Sequence, residues 1–305
     1  MNSSKTIIII LIIISIYIIF TIFSDFEKVL SSIKEIDKQK LSIAIGILII
    51  TVGLRAGRWH FFLRRVTTQI PLKQSILYYL AGYAFILSPG RAGEIIRSPF
   101  IKRDYGVSIS KTAPIVLVER FYDMLAITLI ISIGLIFSDF DKAVIVLPIG
   151  FVVAMFLIIR SKTVFSNILV KISKIKIFSK WIPNVDESFE VIFSLMKTRF
   201  FLTGVIVSIV NGVLEATAVY LLILGLGENV SFVNLAVLFH TSSFAANLSL
   251  IPGGLGVLEG GLIGLLVLYK IKYEIALSVT ILIRLLSTGM FSVIGLISLR
   301  IISKK

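Results

Sequence analysis

Long apolar runs separated by short polar connections dominate the chain. They lie at 7–23, 41–54, 75–87, 113–137, 143–159, 200–224, 231–250, 257–269 and 275–299. Crossing a hydrocarbon core takes about 20 helical residues, so the longer runs predict membrane-spanning α-helices. No small-residue cleavage site follows the run at 7–23, which predicts a retained first helix and not a cleaved signal peptide.

Two runs, 75–87 and 257–269, are too short to span as straight helices and lie beside the same small motif. The motif is Pro89-Gly90-Arg91-Ala92-Gly93 in the first half and Pro252-Gly253-Gly254-Leu255-Gly256 in the second, followed by Glu94 and Glu259 respectively. Proline and glycine free backbone groups that lipid cannot satisfy, so such breaks require neighbouring protein or water. A matched pair of them indicates a substrate site.

Basic residues in the connections predict how the short runs are arranged. One connection carries Arg55, Arg58, Arg64, Arg65 and Lys73, a second carries Arg91, Arg97, Lys102, Arg103 and Lys111, and the third is 160–199. The positive-inside rule places all three in the cytoplasm, which requires 75–104 to enter the membrane and return. The second broken hairpin, 231–269, then enters from the outside. Four lysines at 24–40 count against this topology.

The spacing of the motifs predicts an inverted repeat. Pro89 and Pro252 are 163 residues apart, and Arg120 and Arg284 are 164 apart. We therefore predict an all-α, polytopic transmembrane bundle with two re-entrant or broken hairpins.

The bundle forms a single integral membrane domain over 1–305. Its parts are a first helix and connection (1–40), a first half broken at 89–93 (41–159), a basic cytoplasmic connector (160–199) and a second half broken at 252–256 (200–305). The connector's pattern is typical of amphipathic helices at the membrane surface. It is either a solvated linker or a lipid sensor.

Composition narrows the class of protein. With 57% hydrophobic residues and a mean hydropathy of +1.00, the chain is not an ordinary soluble domain. Without cysteine there is no disulfide or thiolate site, and His60 and His240 alone do not suggest zinc, so we predict no metal and no cofactor. The net charge of +14 fits topology and anionic headgroups better than nucleic acid.

Charged residues near the first break are candidate ligand contacts. Arg91, Glu94 and Arg97 recur every three residues and would share a helix face. Paired guanidiniums beside a helix N-terminus suit a phosphate. Alternatively, Glu94 pairs with one arginine while the others reach the interface.

Further ionisable residues stand inside apolar runs, where a function is the default hypothesis and helix pairing the alternative. They are Glu119, Arg120 and Asp123 in one run and Glu215, one turn from Asn211, in another. We expect Glu215 to contribute to a polar cavity, for example as the partner of Arg284 or Arg120. Asn211 is typical of helix packing, and His240 of a satisfied polar residue in a helix interface.

The second break has its own candidates. They are Asn247, Gly253, Gly254, Gly256, Glu259 and Arg284. The glycines would let a headgroup or another backbone approach closely. The alternative is a hinge that serves packing alone.

Four ordered motifs carry a resemblance to a known family. They are Gly-Arg-Ala-Gly-Glu-Ile-Ile-Arg (90–97), Val-Glu-Arg-Phe-Tyr-Asp (118–123), Pro-Gly-Gly-Leu-Gly-Val-Leu-Glu (252–259) and Arg284. Together they resemble the lysylphosphatidylglycerol synthase transmembrane region family, also called flippase-like or UPF0104 membrane proteins. The resemblance implies a lipid-handling helical domain. No soluble aminoacyl transferase part follows the last run, so we do not expect this polypeptide to synthesise a lysyl-lipid.

These observations predict a multi-pass protein of the cell membrane that translocates or carries a phosphate-bearing lipid through a polar intramembrane cavity. Its partners would be membrane lipids, anionic or phosphate-bearing, with a separate lipid-modifying enzyme as a further candidate. Two alternatives stay open. One is an intramembrane transferase or hydrolase acting on a lipid phosphate, and the other is a membrane partner of a separate lipid-modifying enzyme or glycosyltransferase.

Overall fold

The structure, a computed structural model, describes residues 31, 33–138, 140–161, 163–164, 167 and 184–304. Its α-helices are α1 (Lys38–Val66), α2 (Leu72–Gly82), α3 (Arg97–Tyr105), α4 (Ile109–Ile136), α5 (Val146–Arg160), α6 (Val185–Leu195), α7 (Thr198–Gly225), α8 (Phe232–Leu248), α9 (Val257–Leu268), α10 (Tyr273–Arg284) and α11 (Met290–Ser303). The described residues contain no strand, and the all-α prediction is confirmed. The predicted helix at 7–23 lies outside them.

Helices α1 and α7 form an antiparallel pair at the centre of the bundle. At one end the amide of Asp37 donates to the carbonyl of Gly225, and at the other the rings of Phe61 and Phe200 lie 5.1 Å apart. Asp37 also caps α1 by accepting from the amides of the next turn. Its hydrogen bond with the Lys40 ammonium lowers the pKa of the Asp37 carboxyl.

The prediction that Arg55 and Arg58 belong to a basic connection after the run at 41–54 is wrong. Helix α1 continues to Val66, so Arg55 and Arg58 are helix residues inside the bundle and not part of a basic connection. Only 2% of Arg58 is exposed. A guanidinium survives at that depth because carboxylates from neighbouring helices pair with it.

The first hairpin, residues 72–105, is a broken helix pair. Helix α2 gives way to 3₁₀ turns at Tyr83–Phe85 and Pro89–Ile96, and α3 then runs back against α2. At its base the hydroxyl of Tyr78 donates to Oδ2 of Asp104 over 2.5 Å. Proline at the start of the second turn explains the break, because proline cannot donate a helical hydrogen bond.

The second hairpin, residues 232–268, repeats this plan. Helices α8 and α9 pack together, with a short 3₁₀ turn at Pro252–Gly254 between them. At its base Nδ2 of Asn234 donates to the hydroxyl of Tyr269 over 2.6 Å. Both hairpins are therefore closed at the base by a bond between a tyrosine and an Asp or Asn side chain.

The two hairpins enter the bundle from opposite ends. Helices α10 and α11 form one 31-residue apolar segment, Tyr273–Ser303, joined by a π-helical turn at Leu285–Gly289. The segment begins just after the base of the second hairpin and ends beside the first, where Arg103 donates to the carbonyl of Ile302. The tips meet within the bundle, because the turn at Pro89–Ile96 contacts the turn at Pro252–Gly254.

Close contact between the hairpins depends on glycine. Gly253 has φ +63°, and a Cβ there would lie 2.5 Å from Cδ2 of Leu87 in the first hairpin. An L side chain would therefore be strained by the backbone conformation, and the end of the Leu87 side chain would have to move. Glycine thus suits the point at which the second hairpin meets the first.

Surface chemistry agrees with a membrane setting. Lys38–Val66, Thr198–Gly225 and Tyr273–Ser303 are long and apolar enough to span, and large apolar side chains such as Ile49 and Ile136 are exposed on the bundle. The end that holds the base of the first hairpin, here called the basic end, carries Arg64, Arg65, Lys73, Lys102, Arg103, Lys111, Lys197, Arg199, Arg300 and Lys304. The positive-inside rule predicts that this end faces the cytoplasm.

The described part of the predicted connector is anchored to the bundle. Helix α6 packs on α4, and the hydroxyl of Ser188 donates to the carbonyl of Ser110. Tyr122 of α4 donates to the carbonyl of Leu195 over 2.8 Å. Residues 184–195 are therefore held by α4, while most of 160–183 lies outside the described residues.

Candidate functional site

Glu94 is the centre of a buried ionic cluster at the first break. Nη2 of Arg97 donates to Oε2 of Glu94 over 2.5 Å, and Nε of Arg91 lies 2.7 Å from Oε1. Arg120 approaches the same carboxylate from α4 at 3.4 Å. One carboxylate, only 3% exposed, therefore faces three guanidiniums.

Arg97 is fixed on every side. Its guanidinium lies 4.4 Å from the ring centre of Trp59 and 4.7 Å from that of Tyr79, a stacking arrangement that favours a cation. It also donates to the carbonyl of Glu94 and, over 3.2 Å, to Oε2 of Glu119. These contacts tie the first hairpin to α1 and α4.

Arg58 completes the cluster from α1 and was missed as a site residue. Its Nη1 donates to Oδ1 of Asp123 over 2.7 Å and makes a very short contact with the hydroxyl of Ser208, while its Nε lies 3.6 Å from Glu119. The signal was present in the sequence, because a 14-residue run at 41–54 is too short to span and had to continue through Arg58.

The cluster holds more cationic than anionic side chains. We define the first-break cluster by its four guanidiniums and three carboxylates, which are Arg58, Arg91, Arg97, Arg120, Glu94, Glu119 and Asp123. With all of them ionised the cluster carries one uncompensated positive charge. Because unpaired charge is costly in a low-dielectric interior, the cluster is suited to an anion.

Access to the cluster is uneven. The side chains of Arg91 and Arg120 are 20% and 17% exposed, and Asp123 is 15% exposed. The side chains of Arg58, Arg97 and Glu119 are at most 1% exposed. An entering group would therefore meet Arg91 and Arg120 first.

Glu215 has a different partner from either predicted one. Its Oε1 accepts from Nη2 of Arg55 over 2.7 Å, which joins α7 to α1. The expected pairing with Arg284 or Arg120 is wrong, because Arg55 was assigned to a connection when it lies inside α1 opposite Glu215.

The second break contains a compact ion pair. Nε of Arg284 donates to Oε1 of Glu259 over 2.6 Å, and its Nη2 donates to the carbonyl of Gly253 over 2.9 Å. The other oxygen of Glu259 accepts from the amide of Gly256, which caps α9. Arg284 thus contacts both the tip of the second hairpin and the glutamate that caps the start of α9.

The two halves share one pattern. In each half a carboxylate just after the break, Glu94 or Glu259, faces an arginine from the following long helical segment, Arg120 or Arg284. These contacts link residues 26 and 25 positions apart respectively. A contact between a glutamate and an arginine is therefore present at equivalent positions of both halves.

The remaining candidates are less connected. Nδ2 of Asn247 donates to the carbonyl of Ser243 within α8, and Asn211 donates to the carbonyl of Val207 within α7. His240 is buried with Nε2 bonded to the carbonyl of Gly212, as expected of a polar residue in a helix interface. A Cβ at Gly254 would lie 2.7 Å from Cβ of Ala246, so this glycine serves packing.

Comparison with known proteins places these motifs in a wider group. The family model described as the lysylphosphatidylglycerol synthase TM region matches residues 7–295. A UPF0104 membrane protein of Methanocaldococcus jannaschii is 31% identical over 72% of this chain and 93% of its own length. Similar proteins from Pyrococcus horikoshii and Methanothermobacter thermautotrophicus, also called UPF0104 membrane proteins, are 24% and 23% identical over 95% and 89% of this chain, and over 95% and 86% of their own lengths.

Proposed function

The chain belongs to the lysylphosphatidylglycerol synthase TM region family, and we propose that it is a lipid translocase or carrier for a phosphate-bearing lipid. The lipid headgroup would pass through the polar interior where the two hairpin tips meet. Its acyl chains would stay in the surrounding bilayer, in contact with the exposed apolar side chains of the bundle.

One observation carries the proposal. The tips of two broken hairpins, entering from opposite ends, meet beside a buried cluster that has more arginine than carboxylate. A charged headgroup crosses hydrocarbon only at a large free-energy cost. Arginines that donate to phosphate oxygens would replace the lost hydration and lower that cost.

The carboxylates would act as exchangeable partners of the arginines. Without a ligand, Glu94 is a shared carboxylate partner of Arg91 and Arg120, which reduces the uncompensated charge at that depth. A phosphate with similar acceptor geometry could replace Glu94 at these guanidiniums. Exchange between two acceptors avoids a fully unpaired arginine at any step.

Reconstitution tests this function directly. The full chain is placed in vesicles that contain phosphatidylglycerol labelled on an acyl chain with a fluorophore, and dithionite added outside destroys only the accessible label. We expect the protein to bring inner-leaflet label to the outer leaflet. Arg120→Ala and Arg284→Ala should slow this exchange at least about tenfold, a loss of about 1.4 kcal/mol or more in the limiting step.

A control variant and a chemical analysis complete the test. Arg65→Ala removes an exposed arginine of α1 and should transport like the parent protein. If the parent protein moves no lipid, translocation is wrong. Recovery of a covalently changed lipid would favour the transferase or hydrolase, and activity only after addition of a separate enzyme would favour the membrane partner.

A further inference from the structure

The two breaks differ in how tightly their arginines are held. Arg284 makes bonds of 2.6 and 2.9 Å to Glu259 and Gly253. Arg120 lies 3.4 Å from both Glu94 and Asp123, beyond the usual range of such bonds, and its buried Nε has no hydrogen-bond partner. Equivalent arginines are therefore in different states in this conformation.

The two breaks also differ in their charge balance. Arg284 and Glu259 neutralise each other, and each oxygen of the carboxylate has a donor. The first-break cluster keeps one surplus positive charge, and its most exposed cations are Arg91 and Arg120. An anion would balance the surplus charge at the first break, whereas at the second break Glu259 already balances Arg284.

The bonds of Arg284 also maintain the contact between hairpins. The Gly253 carbonyl that Arg284 holds belongs to the residue pressed against Leu87 of the first hairpin. Fixing this carbonyl fixes the left-handed conformation of the tip, and with it the boundary between the two hairpins. Arg284 is thus placed to hold a tip in position and not to receive a ligand.

We propose that the two arginines have divided roles: Arg120, with Arg91, binds the headgroup anion, while Arg284 is a positioning residue that latches the second tip. This inference rests on the proposed function and assigns its binding step to the first break. The ligand chemistry is a phosphate-type anion, supplied by a lipid headgroup or by a soluble phosphate. The opposite assignment, with binding at Arg284, would require its ion pair to open first.

The chain contains a built-in reporter for this assignment. It has two tryptophans, Trp59 and Trp181, and Trp59 stacks on Arg97 inside the first-break cluster. Trp181→Phe therefore leaves one tryptophan beside the proposed site. Brominated acyl chains quench tryptophan fluorescence at short range, so a lipid held at Arg120 should quench Trp59.

The experiment uses the full chain with Trp181→Phe in phosphatidylcholine vesicles that contain a small fraction of brominated phosphatidylglycerol. We expect stronger quenching than with the same fraction of brominated phosphatidylcholine. Arg91→Gln and Arg120→Gln should weaken the apparent affinity for the anionic lipid about tenfold, the value of one lost charge-assisted hydrogen bond. Arg284→Gln should keep this affinity within about twofold while slowing leaflet exchange.

Arg65→Gln is the matched control, because it removes an exposed arginine from the same helix as Trp59. Arg91→Gln keeps the test decisive if Arg120→Gln fails to fold, since Arg91 is at the accessible edge of the cluster. In a separate arm, inorganic phosphate is added to phosphatidylcholine vesicles. A change in Trp59 emission there, without selective quenching by the anionic lipid, would assign the site to a soluble anion and overturn the lipid source.

The outcomes separate the two proposals. If Arg284→Gln loses selective quenching while Arg91→Gln and Arg120→Gln retain it, the division of roles is wrong, even when the parent protein translocates lipid. If the parent protein shows neither selective quenching nor leaflet exchange, the proposed function itself fails.

Discussion

At the scale of single residues, buried arginines decide how the helices of this bundle associate. Arg58 bonds to Asp123 of α4 and Ser208 of α7, and Arg55 bonds to Glu215 of α7. A buried ion pair is not by itself a large source of stability, but removal of one partner leaves the other charge uncompensated. These arginines therefore specify which helices pack together.

Replacement of Arg58 tests this point. Arg58→Leu removes the hydrogen bond of Arg58 to the buried Asp123 carboxylate and its contact with Ser208, and we expect a loss of about 1.5–3 kcal/mol in unfolding free energy. The measurement is denaturant unfolding in detergent, with Arg64→Leu as the control because Arg64 is exposed on the same helix. A midpoint equal to that of the parent protein would show that Arg58 does not hold the cluster.

The sequence revealed most charged site residues but not all their partners. Arg120 and Arg284 were identified because they interrupt apolar runs, and the contacts of both with a glutamate after a break match the repeated spacing. Arg55 and Arg58 were missed because a charge after an apolar run resembles the end of a helix. Which carboxylate pairs with a given arginine depends on which helices lie next to each other. The local sequence does not indicate that arrangement.

At the scale of helices and turns, breaks were easier to predict than ends. Pro89 and Pro252 marked the 3₁₀ turns at the two tips, and the return of α3 along α2 follows from the basic residues on either side. The π-helical turn at Leu285–Gly289 was not predicted, because hydropathy does not change across it. The turn lies directly after Arg284, whose guanidinium must point towards Glu259 and the carbonyl of Gly253.

Gly253 tests the turn of the second hairpin. Gly253→Ala places a side chain at φ +63° and against Leu87, so we expect a loss of at least about 1–2 kcal/mol from backbone strain alone. We expect the variant to unfold at a lower temperature in detergent and to exchange lipid between leaflets more slowly. Adding Leu87→Ala should recover the part caused by the collision.

The matched control for that substitution is Gly260→Ala in α9. Gly260 has a helical backbone with open space around its Cβ position, so alanine should be neutral or stabilising there. If Gly253→Ala is as harmless as Gly260→Ala, the tip does not need glycine.

At the scale of the whole molecule, the fold places two polar tips inside an apolar bundle. The long α10–α11 segment connects the base of one hairpin to the base of the other, which fixes the opposite directions of entry. The matched motifs predicted this arrangement, because equivalent segments in opposite orientation require it. The halves share a contact between a glutamate and an arginine, but among the described residues the surplus positive charge lies in the cluster of the first half.

Contact between the tips is the central claim, and the absence of cysteine from the chain allows a direct measurement. A Cβ at Gly253 would lie 3.6 Å from Cα of Leu87, within reach of a disulfide. The pair Leu87→Cys with Gly253→Cys should therefore cross-link in the membrane under mild oxidation, because Leu87→Cys also removes the side-chain atom that a Cβ at position 253 would meet. A control pair of Leu87→Cys with Gly227→Cys, next to the end of α7, should not. Mass spectrometry of the linked peptides is expected to identify the 87–253 bond, whereas two thiols that stay open to maleimide after oxidation would contradict the account.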